Sequence, residues 1–250
     1  MKIAFIGGYG HLGHGLYQLA KHNGHEAYKI GRSDSKSYLD VDLVVLAIPP
    51  SKTIFCLEEE LDLKDDVPII SFVAGIPLET YTPHTVAGAV KAMTNIAACD
   101  GKGFTVWAKD REMSPRPLSR VYAFMDMLGK WCEVDDSNST KSVDSYLDDA
   151  TALIGSGTAY AVQLIENFVQ YGVSENLDAE MAQKWVRETF LSALHLLEDD
   201  DAENIVNSIA SPNGTTAEGL EWLSSDKVDL SIHNALAVTG EKCRSLGENP

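Results

Sequence analysis

Gly8, Gly10 and Gly13 follow the apolar run Ile3-Ala4-Phe5-Ile6 and precede a helical pattern over residues 12–22. Glycines at this spacing suit a backbone that must turn tightly, let a phosphate approach and pack a helix against a strand. The helix N-terminus then supplies amide donors and the positive end of its dipole. The spacing predicts a dinucleotide cradle made by Gly8, Tyr9, Gly10, His11, Leu12 and Gly13, with Gly8 at the tight turn and His11 able to donate to a phosphate. Gly7 is an additional glycine before or within that turn. His11 and His14 stand three residues apart with no third ligand or acidic partner, so no metal is expected.

A second chemically suggestive stretch follows the next apolar run. The fold predicted by such a cradle places an acidic residue on the ribose 2′-hydroxyl about 20 residues further on. Gly31 occupies that region here, and Arg32 with Ser33 offers a cation and a hydroxyl to a 2′-phosphate. NADP(H) is therefore favoured over NAD(H), although Asp34 keeps an acidic group close by and a plain surface turn is the simpler alternative. Two further stretches, residues 154–160 and 210–219, are rich in glycine and hydroxyls and lead into helical patterns. Each can present amides and hydroxyls to an anion. As structure alone they would be an N-cap turn and a helix–helix corner.

The elements that must position these residues follow from periodicity. Short apolar runs at 2–6, 27–30, 43–48, 69–73 and 89–93 alternate with helix-length segments, as a parallel sheet covered on both faces requires. Runs at 104–107 and 130–134 add strands around a helix over 118–128. Too little chain separates Ile30 from Leu43 for a full crossover, so the sheet is expected to be one unit short of the usual six. From about Asp144 the pattern becomes helical. Ala161, Val162, Ile165, Phe168 and Val169 recur at helical spacing. Met181, Trp185, Phe190, Leu194 and Leu197 repeat it after Asp178, a candidate N-cap, and a last helix spans 228–246. The fold class is α/β, an N-terminal Rossmann-like domain at 1–143 followed by an all-α domain at 144–250 whose apolar helices call for a partner copy.

Composition narrows the function. The 250 residues carry 37 Asp and Glu against 20 Lys and Arg, a net charge of −17, which argues against nucleic acid or an anionic membrane as partner. Cys56, Cys99, Cys132 and Cys243 form no Cys-x-x-Cys pair and read as reduced thiols. No apolar run reaches spanning length, so a soluble cytoplasmic protein is expected.

The stretch Ser211-Pro-Asn-Gly-Thr-Thr-Ala-Glu-Gly-Leu220 resembles the Ser-Pro-Gly-Gly-Thr-Thr substrate loop of the pyrroline-5-carboxylate reductases. Residues 149–160 resemble the opening of that family's long dimer helix, and Ser71-Phe-Val-Ala-Gly-Ile76 its Ser-x-Ala-Ala-Gly-Val strand end. Leu46-Ala-Ile-Pro-Pro50 and Ala92-Met-Thr-Asn-Ile-Ala97 stand where the family has Ala-Val-Lys-Pro and Met-Pro-Asn-Thr-Pro. The resemblance covers nearly the whole chain and implies reduction of a cyclic imine carboxylate, 1-pyrroline-5-carboxylate, to proline with NAD(P)H by a homodimer or a higher-order assembly. It implies that Ser211, Asn213, Gly214, Thr215 and Thr216 bind the substrate, with the Thr216 hydroxyl beside the imine nitrogen as the catalytic contact. It adds Ala47, Ile48, Pro49, Ala74, Gly75 and Asn95 to the cofactor contacts.

The chain departs from the family at several of these positions. Thr94, Ile96 and Ala97 replace Pro, Thr and Pro around Asn95, Pro49 replaces a lysine, Thr158 a proline, Ile154 a serine and Asn213 a glycine. Loss of a cation and a hydroxyl with gain of Ile154 and Ile96 would reshape the pocket and leaves room for a neighbouring imine. Two alternatives stand beside the reductase. One is a nucleotide-binding regulatory relative without turnover. The other is an oxidoreductase like the prephenate dehydrogenases, whose fingerprint Gly-Gly-Tyr-Gly-His-Leu-Gly resembles.

Overall fold

The structure, a computed structural model, describes residues 1–31, 40–59, 61, 63–110, 112–135 and 140–248. Two compact units divide the chain. Met1–Ser156 with Ala237–Pro250 forms one, and Gly157–Leu236 the other.

The first unit is built on seven strands among the described residues: β1 (Lys2–Ile6), β2 (Glu26–Ile30), β3 (Leu43–Leu46), β4 (Ile69–Ser71), β5 (Ala89–Thr94), β6 (Gly103–Lys109) and β7 (Gly129–Glu133). Their order is β2-β1-β3-β4-β5-β6-β7, parallel throughout except where β5 meets β6. Direction therefore reverses about β1, with β2 on one side and β3 on the other. Ile6 pairs with Ile30 on one side and with Leu46 on the other, so three strand ends open together. In open α/β sheets the ligand crevice lies outside the carboxyl ends at such a switch point.

Both faces of β1 are buried because its side chains alternate between two cores. Ile3 and Phe5 join Leu16 and Leu19 of α1 (His11–His22) and Val121 and Phe124 of α3 (Pro115–Leu128). Ala4 and Ile6 join Leu57 of α2 (Thr53–Glu59) and Leu147 of α4 (Val143–Ala150). This is why the strands read as continuous apolar runs rather than alternating ones.

Residues 154–160 require a correction. Thr151–Ser156 is π-helical and runs from α4 into α5 (Gly157–Ser174) with no intervening turn. The helix N-terminus expected at this glycine-rich stretch is not formed, so its amides are not offered to an anion in the way expected. The π turn is a local feature that composition does not distinguish from a loop.

The second unit contains α5, α6 (Ala179–Leu196), α7 (Ala202–Ile209), α8 (Thr215–Ser225) and the start of α9 (Val228–Glu248), whose end returns to the first unit. Asp178 caps α6, accepting from the amides of Glu180 and Met181. Phe168 and Phe190 pack edge to face at 5.2 Å, joining α5 to α6. Phe168, Tyr171, Trp185, Leu194 and Trp222 remain exposed in the single chain. No helix of the described residues is long and apolar enough to cross a membrane.

Candidate cofactor cleft and substrate loop

Gly7 takes a left-handed conformation, φ 86°, immediately after β1. A Cβ there would lie 2.2 Å from the Ala47 carbonyl oxygen, which no side chain permits. The tight turn is thus at Gly7, and the expectation that Gly8 makes it is corrected: Gly8 has an ordinary negative φ. The Gly7 carbonyl accepts from Gly10 at 2.9 Å, and a Cβ on Gly13 would stand 2.4 Å from the same oxygen. Gly7 and Gly13 together let the start of α1 close onto the β1 end. Gly10 then serves as N-cap with no side-chain cap, and no acidic residue occupies the first turn of α1. Its free amides and dipole have the chemistry to hold an anion.

Beside this turn lies a cleft of about 590 Å³, within the usual range for small-molecule sites. Ile6 and Gly7, Ile30 and Gly31, and Ile48 and Pro49 bring the three strand ends to it. Of the expected cofactor contacts, Tyr9, Ile48 and Pro49 line the cleft. Gly8, Gly10, His11, Leu12 and Gly13 belong to the adjoining turn and helix start, and Ala47 packs under it with its amide donating to the Ile6 carbonyl at 2.9 Å. Arg32 and Ser33 lie outside the described residues.

His14 is not poised for a metal. Lys29 Nζ lies 2.6 Å from its Nδ1, and the same ammonium sits over the rings of Tyr9 and Tyr17. No group of three metal-ligating side chains occurs among the described residues.

The sequence reading missed Ser51, Lys52, Phe55 and Cys56, which complete the cleft. They belong to the turn Pro50–Lys52 and the start of α2. Their position directly after β3, at the switch point, was the available signal. Pro49 brings no charge to the wall. Among the described lining residues the charge comes from Lys52.

Ala74, Gly75 and Asn95 are not among the residues that line this cleft. Gly75, with φ 77°, is packed beneath the end of α9, where a Cβ would meet the Cys243 carbonyl oxygen at 2.4 Å. Asn95 directly follows β5, and its Oδ1 is buried without a hydrogen-bond partner among the described residues, a costly arrangement unless a ligand supplies a donor. Around it the substituted residues have their own accounts. The Thr94 hydroxyl lies 2.8 Å from that of Thr105 and 3.2 Å from the Phe104 carbonyl, so it is satisfied within the sheet. Ile154 packs against the first core, and this methyl-rich side chain contributes to folding there. Ile96, by contrast, is 56% exposed.

In the second unit Ser211, Asn213, Gly214, Thr215 and Thr216 form one compact turn into α8. The Ser211 carbonyl accepts from Gly214 at 2.9 Å, and Gly214 caps α8 without a side-chain bond. Asn213 adopts φ 59°, a conformation that asparagine tolerates better than most residues, so it can stand where the resembling loop has glycine. Ser211, Thr215 and Thr216 are exposed, and the first amides of α8 are open.

Comparison with known proteins agrees with this geometry. The family model for pyrroline-5-carboxylate reductase dimerisation matches residues 144–246. The pyrroline-5-carboxylate reductase of Methanosarcina acetivorans is 26% identical over 215 residues, 83% of this chain and 76% of that protein. A crystal structure of 1-pyrroline-5-carboxylate reductase from Streptococcus pyogenes superposes with a TM-score of 0.85 at 25% identity, covering 98% of both chains. The NADP-bound pyrroline carboxylate reductase of Plasmodium falciparum shares the fold, with a TM-score of 0.83 at 21% identity over 99% of this chain and 98% of that one. With a matching dimerisation region, relatives aligned across most of their length and one fold throughout, the chain belongs to the pyrroline-5-carboxylate reductase family.

Proposed function

We propose that this chain reduces a cyclic imine carboxylate, foremost 1-pyrroline-5-carboxylate, with NADPH, and that it works as a homodimer. The observation that carries this reading is the turn from Ser211 to Thr216. It keeps the hydroxyls and open amides of the resembling substrate loop, and Asn213 supplies the left-handed residue that loop needs.

The cofactor, when bound, supplies a hydride from the nicotinamide C4 to the imine carbon. The amides at the start of α1 hold its pyrophosphate, and the absence of side chains at Gly7 and Gly13 allows the close approach. The Ser211 hydroxyl and the open amides that follow Gly214, beginning with Thr215, hold the substrate carboxylate. The Thr216 hydroxyl meets the imine nitrogen and orients the ring. A protonated imine is already electrophilic, so positioning contributes most of what the protein must add. The nitrogen keeps the proton it carried as iminium, and the carbon gains the hydride, which balances the reduction to the amine. The exposed apolar residues of α5, α6 and α8 are the surface for the second copy.

Purified protein should oxidise NADPH when 1-pyrroline-5-carboxylate is added, followed at 340 nm. A folded dimer that turns over neither this imine nor its six-membered analogue would overturn the reading. A nucleotide-binding relative without turnover is favoured by one feature, the exposed Ile96 beside Asn95. Its signature would be NADPH binding without oxidation by any imine.

A further inference from the structure

Lys52 is the only charged residue among the described residues that line the cleft. Its ammonium makes no hydrogen bond or ion pair among those residues. Lys2, Lys64, Lys91, Lys109, Arg120 and Lys141, by contrast, each meet a carboxylate. Lys29, the cation on β2, is already engaged by His14 and two tyrosine rings. The rest of the described wall is aliphatic, aromatic or small and brings no acidic group that would answer the lysine.

The place of this charge limits what it can meet. The cleft spans from the phosphate turn at Gly7 to the ends of β2 and β3, and Lys52 closes the turn that follows β3. In this fold the adenosine ribose is met at the end of β2, where an unphosphorylated ribose is held by a carboxylate accepting its 2′-hydroxyl. Among the described residues that wall is occupied by Gly31, which has no carboxylate to offer. The pyrophosphate, by contrast, has its own donors in the α1 amides. A cation in the same cleft as Gly31 therefore matches an anion on the ribose.

Resting on the NADPH reading above, we propose that Lys52 determines cofactor specificity by pairing its ammonium with the 2′-phosphate of the adenosine half. The chain thus reads the phosphate from the turn after β3, a place the glycine fingerprint does not point to. An ammonium–phosphate pair is charge-assisted and needs no rigid fork, so an exposed, flexible lysine suffices.

The test is equilibrium binding of adenosine 2′,5′-bisphosphate, adenosine 5′-monophosphate, NADPH and NADH to the full chain and to Lys52→Gln and Lys52→Arg. Lys52→Gln should weaken the bisphosphate and NADPH about tenfold or more, the loss of one charge-assisted hydrogen bond. The monophosphate and NADH should change by less than about twofold, because the pyrophosphate donors are untouched. Lys52→Arg should keep the preference. Lys52 is exposed, so an unchanged unfolding midpoint accompanies these results. Equal weakening of all four ligands would move the contact to a shared phosphate and overturn the proposal, as would no change in any of them. Wild-type protein that binds neither NADPH nor NADH would instead overturn the cofactor reading itself, and the role of Lys52 with it.

Discussion

Lys91 Nζ on β5 lies 2.8 Å from Asp144 Oδ1 in the first turn of α4, and the two partners are unequally buried: 1% of the lysine side chain is exposed against 35% of the aspartate. Asp144 also accepts from the Leu78 amide at 3.0 Å. Removing the aspartate strands an ammonium inside the protein, whereas removing the lysine leaves a carboxylate that keeps an amide and some water. Asp144→Ala should therefore cost about 3–5 kcal/mol, the range for breaking a buried pair, and Lys91→Met distinctly less. Urea unfolding of both variants and of the double variant measures this. The reverse order would mean that Lys91 has a second acceptor in the folded chain.

Gly7→Ala should damage both fold and cofactor binding. The new methyl would have to avoid a backbone oxygen 2.2 Å away, and φ 86° is strained for alanine. Strain of this kind costs on the order of 1–3 kcal/mol before any clash is relieved. Gly8→Ala is the milder neighbour, since Gly8 has no positive φ and its closest contacts, Lys29 Cγ at 2.9 Å and the Phe5 carbonyl oxygen at 3.0 Å, are less severe. Thermal midpoints and NADPH affinities of the two variants should rank Gly7→Ala as the worse in both. Equal effects would return the tight turn to Gly8.

The sheet was legible because β1 and β3 are buried on both faces and contain almost nothing but apolar residues, and β5 is apolar apart from Lys91 and Thr94. Asp178 was legible as a cap because a short acceptor preceding a periodic apolar run has few other uses. What escaped was local or collective. Composition cannot say which of two adjacent glycines takes the positive φ; contact with the Ala47 carbonyl decides it. Glycine and serine at 154–158 look like a loop until the neighbouring turns continue through them as a π-helix. Lys52 belongs to no motif at all. Its meaning appears only when the ends of β1, β2 and β3 open one cleft around it.

Asp40 should remain ionised in acid well below most carboxylates. Its hydrogen bonds from Lys2, at 2.7 Å, and Lys64, at 2.9 Å, hold its pKa down to about 2 from the ordinary 3.8. A depressed carboxylate stabilises the fold above its unfolded value, and this contribution is lost as pH falls from about 4 through about 2. Because the pair is exposed, salt should weaken the effect. An NMR titration of the Asp40 carboxyl carbon measures the shift directly. Lys2→Met should raise the midpoint more than Lys64→Met, following the order of their contributions. A midpoint that ignores both substitutions would exclude the lysines as its cause.

Asn213 and Thr216 should separate the shape of the substrate loop from its chemistry. Asn213→Gly keeps the left-handed turn at φ 59°, so it should change stability by only a few tenths of a kcal/mol and leave the Michaelis constant for the imine nearly intact. Asn213→Val places a β-branched side chain in that conformation, at a cost of about 1–2 kcal/mol. That strain displaces the open amides from Thr215 onward that are proposed to hold the carboxylate, so the Michaelis constant for the imine should rise severalfold or more. Thr216→Ala leaves the turn alone and removes one hydroxyl. Its expected effect is on turnover, with little change in the imine constant. Neither Asn213→Val nor Thr216→Ala should alter NADPH affinity, because the donors proposed for the cofactor reside at the start of α1. If Thr216→Ala left turnover unchanged, its hydroxyl would drop out of the mechanism while the carboxylate site stood. If Asn213→Val bound the imine normally, the loop would not be the carboxylate site at all.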